Sequence, residues 1–64
     1  MENKYIIDET IYSHDTIERT IEAFSEVTEI LFKNGELIIK GDSNNEIDEI
    51  FNEFMNYVIS LINE

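Results

Sequence analysis

Thr28-Glu29-Ile30-Leu31-Phe32-Lys33-Asn34-Gly35-Glu36-Leu37-Ile38-Ile39-Lys40-Gly41 is the stretch that decides the fold. Two runs of alternating residues flank Asn34-Gly35, and both turn residues tolerate positive φ, as a two-residue type I′ hairpin turn requires. The turn sets the register. Lys33 faces Glu36, Phe32 faces Leu37, Leu31 faces Ile38, Ile30 faces Ile39 and Glu29 faces Lys40. Ile30, Phe32, Leu37 and Ile39 then share one face, suited to a core. The other face shows an apolar Leu31/Ile38 pair between two opposite-charge pairs, Lys33/Glu36 and Glu29/Lys40. Each such pair contributes roughly 0.2–1 kcal/mol.

Upstream, Lys4 to Tyr12 reads as a strand, with Tyr5, Ile7 and Ile11 on one face and Ile6, Asp8, Thr10 and Tyr12 on the other. Ser13 follows as a helix N-cap, and Asp15 falls in the first turn, where the helix dipole favours a negative charge. Tyr12 and Ile17 occupy the positions of a hydrophobic staple. The spacing predicts a helix over 14–26 whose inward stripe is Ile17, Thr20, Ile21 and Phe24. Downstream, Ser43-Asn44-Asn45-Glu46 has the S-x-x-E form of a capping box and opens a helix running to about residue 63. Its apolar residues cover an arc of roughly 200°, about twice what one sheet-packed face needs.

The order is therefore β-α-β-β-α. The expected fold class is α+β, a two-layer domain over residues 1–64 with a three-stranded sheet and two helices packed on one face. Two strand orders satisfy the connections: the hairpin's second strand lies between the other two, or the first strand lies beside the second.

The chain has 64 residues and no cysteine, so neither disulfides nor thiolate metal sites can supplement its core. A chain of this size buries only about 60% of its unfolded surface. Association with itself or with a partner is the remaining route to extra stability. No apolar run approaches the roughly 20 residues that span a bilayer. The segment Met1-Glu2-Asn3-Lys4 lacks the features of a secretory signal, so a cytoplasmic protein is expected, with no membrane partner.

Fifteen acidic residues stand against four basic ones, for a formal net charge of −11. Lys4, Arg19, Lys33 and Lys40 are too scattered to form a phosphate-binding stripe, so direct nucleic-acid binding is not expected. The acidity either keeps a small protein soluble or docks it on a basic partner. Glu18, Glu22 and Glu26 on the first helix, and Glu46, Glu49 and Glu53 on the second, form rows of like charge.

Catalytic groups do not converge in the sequence. His14 is the sole histidine and falls in a first helical turn, where exposure is the ordinary fate. Asp42 to Glu53 has a calcium-loop-like spacing, but Ile47 stands where that loop requires glycine. No nucleophile-base set or phosphate-binding glycine loop is present. The expectation is a binding protein with no cofactor. A carboxylate-based hydrolase or metal enzyme is the third-ranked reading.

Two apolar features remain once the core is assigned: the outer sheet face, with Ile6, Leu31 and Ile38, and the excess arc of the last helix, with Met55, Tyr57, Ile59 and Ile62. Such patches mark interaction sites. These residues are the candidate partner or dimer interface.

Ile11-Tyr12-Ser13 at a strand-to-helix junction and Glu53-Phe54-x-Asn56 in the last helix resemble the small HxsD-like proteins of the His-Xaa-Ser peptide-modification system, over about residues 6–62. The resemblance implies an accessory role in making ribosomal peptide products, beside a radical-SAM maturase or its peptide substrate. The chain ends soon after Asn56, sooner than such proteins do. The element order is also similar to the small dimerising subunit of the KEOPS tRNA-modification complex, which pairs through sheet and helix surfaces. The two functional expectations are an accessory protein-binding module, dimeric or partner-bound, and an acidic inhibitor occupying a basic, nucleic-acid-binding surface of its target.

Overall fold

A computed structural model describes residues 1–63. The elements run β1 (Glu2–Ile6), α1 (His14–Phe24), β2 (Ile30–Lys33), β3 (Glu36–Lys40) and α2 (Asn44–Ile62). The hairpin forms in the register that Asn34-Gly35 dictates, with Leu31 opposite Ile38 and Phe32 opposite Leu37. Asn34 has φ 54° and Gly35 φ 77°, as a type I′ turn demands.

Of the two strand orders the chain adopts β1-β3-β2, with β3 antiparallel to both neighbours. β1 and β2 therefore run parallel, and α1 makes the crossover between them. Leu37 and Ile39 lie on the central strand and are fully buried.

β1 differs from the sequence expectation of a strand over 4–12. It starts at Glu2 and ends at Ile6, and Ile7 makes one further ladder bond, its N–H donating to Gly35 O at 2.8 Å. The Asp8 carboxylate then captures the Thr10 N–H at 2.9 Å and the Thr10 hydroxyl at 2.6 Å. The N–H groups of Ile11 and Tyr12 both donate to Asp8 O. This local capture competes with ladder pairing and turns the chain. Ile11 consequently projects into solvent and is not a core residue.

α1 begins as expected, with the Thr16 N–H donating to Ser13 Oγ at 3.2 Å. It ends two residues earlier than expected, at Phe24, where the Val27 and Thr28 N–H groups donate back to Phe24 O. Ile17 and Thr20 are buried, while Ile21 and Phe24 pack against the core. The Thr20 hydroxyl donates to Thr16 O at 2.9 Å, so this buried oxygen is satisfied.

α2 begins at Asn44 with Ser43 as its cap, its hydroxyl accepting from the Glu46 N–H at 3.2 Å. Its 19 residues extend about 28 Å at 1.5 Å per residue. Ile47, Ile50, Phe54 and Val58 form its buried face. Entry into α2 depends on Gly41, where an added Cβ would lie 2.8 Å from Ile47 Cγ1.

Both helices cover the same face of the sheet, α1 against β2 and α2 against β1 and β3. Tyr5 and Phe51 tie the edge strand to α2, with ring centroids 3.9 Å apart and planes 6° from parallel. Phe24 fills the gap between the helices, lying 5.6 Å from the Phe54 ring and 5.9 Å from the Tyr57 ring.

Candidate interaction surface

Alternation along three strands places one set of side chains outward, away from both helices. The outward set is Glu2, Lys4 and Ile6 on β1, Glu36, Ile38 and Lys40 on β3, and Leu31 and Lys33 on β2, with Glu29 just before β2. Glu29 stays in register because the Lys40 N–H donates to its carbonyl at 3.2 Å.

Pairing arranges these residues in three rows across the strands. Glu2, Lys40 and Glu29 form the first row; Lys4, Ile38 and Leu31 the second; Ile6, Glu36 and Lys33 the third. The apolar residues lie in the middle row and at one corner. Ile6 is 79% exposed and Leu31 48% exposed, while Ile38 is half-buried among its neighbours.

The face is electrically balanced. Lys4, Lys33 and Lys40 match Glu2, Glu29 and Glu36, so the entire net charge of −11 lies elsewhere, on the helices, loops and termini. Lys40 Nζ is 2.7 Å from Glu29 Oε2, and this hydrogen bond and charge raise the lysine pKa. Glu36 reaches Lys4 at 4.0 Å, not its cross-strand neighbour Lys33 as the hairpin register implied. Among the described residues Lys33 has no acidic partner within ion-pair distance.

The α2 arc is narrower than its sequence implied. Met55 packs half-buried against the core and so leaves the expected exposed flank. Ile59 and Ile62 remain open along one side, 45% and 48% exposed, and Tyr57 on the other. Sheet face and flank thus lie on different sides of the molecule.

The remaining polar features are local. His14 sits between Glu9 and Glu18, with its ring nitrogens 3.5 and 3.6 Å from their carboxylates, and beside the Phe32 ring at 5.6 Å. Glu18 is the i+4 neighbour visible in the sequence. Glu9 is brought in only by the Asp8 turn, for which the alternating pattern gave no signal. Over the calcium-loop-like stretch the chain is helical from Asn44, and Ile47 is buried. Among the described residues no group of three or more His, Asp or Glu is placed to hold a metal ion.

An open depression of about 500 Å³ lies where β1 begins and β3 ends, bordered by Glu2, Thr28, Glu29, Lys40 and Asp42. The Lys40 ammonium there is held by Glu29. The Thr28 hydroxyl donates to Lys40 O. Tyr5 donates its hydroxyl to Asp48 Oδ1 at 2.9 Å, and burial, followed by this bond, raises the phenol pKa. No helix is long and apolar enough to cross a membrane, among the described residues. No family model, curated protein or solved structure matches the chain.

Proposed function

We propose that this protein is a non-catalytic accessory module that works by binding another polypeptide chain. The observation supporting this reading is the outer sheet face, which carries exposed Ile6 and Leu31 around Ile38 and no net charge on an otherwise strongly acidic molecule. The Ile59/Ile62 flank of α2 offers a second apolar contact. A docking role needs such surfaces on a rigid support, and the hairpin and capped helix provide that support.

The experiment is co-purification from native cells with the wild-type chain, Leu31→Glu and Ile59→Glu. A specific protein recovered in fixed stoichiometry and lost with either variant supports the reading. Unchanged recovery with both folded variants would overturn it. The resemblance to HxsD-like proteins makes a radical-SAM maturase or its peptide substrate the first partner to test in purified form.

The segregation of charge favours a second reading. The two helices carry seven acidic residues against Arg19 alone, including the Glu18/Glu22 and Glu49/Glu53 rows, and this layer can occupy a basic surface on a nucleic-acid-binding protein. Such binding falls steeply as salt rises from about 50 to 500 mM, because exposed charges are screened within a few ångströms at high ionic strength. Salt-insensitive association counts against it.

A further inference from the structure

We propose that the outer sheet face pairs with a second copy of this chain, across a two-fold axis lying in the contact plane and perpendicular to the strands. The inference rests on the reading of this face as a contact surface and goes beyond it by naming the occupant. Its first support is the distribution of charge. Two copies at −11 each repel through almost any approach. The balanced sheet face is the exception, because it turns both helical layers outward. Packed sheets lie about 10 Å apart, and a helix layer sits about 10 Å behind each, so the two helical layers, which hold seven acidic residues against one arginine in each copy, are separated by about 30 Å. That is more than three Debye lengths at physiological salt, where the length is about 8 Å.

The second support is the symmetry of the rows. An axis along the Lys4–Ile38–Leu31 row exchanges the first and third rows and lays each strand over its own copy. Lys40 then faces Glu36 of the second copy, and Lys33 faces Glu29 of the second copy, each contact occurring twice. Lys33, which has no ion partner in its own chain among the described residues, gains one. Leu31 and Ile38 meet their own counterparts at the centre. The costs lie on the β1 edge, where Lys4 faces Lys4 and Glu2 faces Ile6. An axis parallel to the strands instead sets Lys40 on Lys40, Glu36 on Glu36 and Glu2 on Glu29. Both axes give the aligned arrangement that packed sheets prefer, so the charge pairing decides between them, and a two-fold contact closes on itself.

The patch measures roughly 15 by 17 Å, from the spacing of three strands and the rise along five residues. At about 250 Å² per copy this is well below the roughly 800 Å² per partner of a stable interface, so the pairing is weak, reversible and concentration-dependent.

Sedimentation velocity from about 1 µM to 1 mM tests this with the wild type, Lys40→Glu, Glu36→Lys and an equimolar mixture of the two variants. Each variant alone sets like charges opposite each other at two positions. The mixture restores opposite charges at both. The expected result is a wild-type dimer, at least tenfold weaker pairing for either variant alone, and recovery in the mixture. Circular dichroism checks the fold; if either variant is unfolded, Leu31→Glu replaces it and is expected to abolish pairing.

A wild type that stays monomeric at 1 mM, or pairs equally well with both substitutions, overturns the proposal. Weakened variants whose mixture does not recover overturn this arrangement of the two copies. If the chain is monomeric but Leu31→Glu still loses a co-purifying protein, self-pairing falls while the protein-binding reading survives. If the dimer forms but no protein is lost with either interface variant, the reverse holds.

Discussion

Replacing Gly41 with alanine tests how tightly the entry to α2 is built. The added methyl carbon would sit 2.8 Å from Ile47 Cγ1, whereas carbon atoms in contact prefer about 3.5–4.0 Å, so about 1 Å must be opened. Neither side yields freely. The Gly41 N–H donates to Met1 O at 3.0 Å, the Ile47 N–H donates to Ser43 O at 3.0 Å, and Ile47 is fully buried. Overpacking of this kind costs about 1–3 kcal/mol. In a domain of this size each kcal/mol lowers Tm by about 4–8 °C.

Thermal and urea unfolding followed by circular dichroism reads that loss. The Ile47→Ala background supplies the control, since it removes the obstructing atom at its own cost of about 2–5 kcal/mol. Gly41 does not have positive φ. In that background Gly41→Ala is therefore expected to be neutral or to stabilise by about 0.4–1 kcal/mol, through the lower entropy of the unfolded chain. A harmless substitution in the wild type, or an equal penalty in both backgrounds, would refute the steric argument.

Two further outcomes follow from the edges of the sheet. The Asp8 carboxyl is held below its ordinary pKa by the Thr10 hydroxyl and then by the Thr10 N–H. The turn's contribution is thus present above the unfolded aspartate pKa and lost as pH falls through the lower folded one; NMR titration should find a depressed Asp8 midpoint that moves up in Thr10→Ala, and an unmoved midpoint would sink the assignment. The Tyr5/Phe51 stack should give a coupling of about 0.5–1.5 kcal/mol in a double-mutant cycle with Tyr5→Leu and Phe51→Leu. Additive losses would mean that the parallel rings contribute only their buried area.

The parts of the fold written in the sequence were those where local chemistry and burial pattern agree. Asn34-Gly35 can form one tight turn, and that turn fixes which side of the hairpin is buried. Ser13 and Ser43 cap both helices because each hydroxyl lies within reach of a free first-turn N–H, that of Thr16 and that of Glu46. β1 was misplaced because Ile7, Asp8, Glu9, Thr10 and Ile11 alternate enough to imitate a strand, while the Asp8 carboxylate bends the chain there. Its true start at Glu2 is set by tertiary pairing with β3, which overrides the weak strand preference of Glu2-Asn3-Lys4. Leu31, Ile38 and Ile6 were legible as outward residues by alternation alone. The neutrality of their face was not, because it needs Glu2 and Lys4 placed beside β3, and two strand orders were open. Met55 was drawn inward by a core that α2 shares with β1 and β3, a three-dimensional fact that a helical wheel does not contain.

The brevity of the outermost strands has one more consequence. β1 has five residues and β2 only four, and their outward positions include Glu2, Lys4 and Lys33. Short margins carrying charge are poor templates for another chain's backbone, which is how natural sheets avoid joining end over end into fibrils. This molecule therefore discourages the open-ended mode of β assembly at its margins.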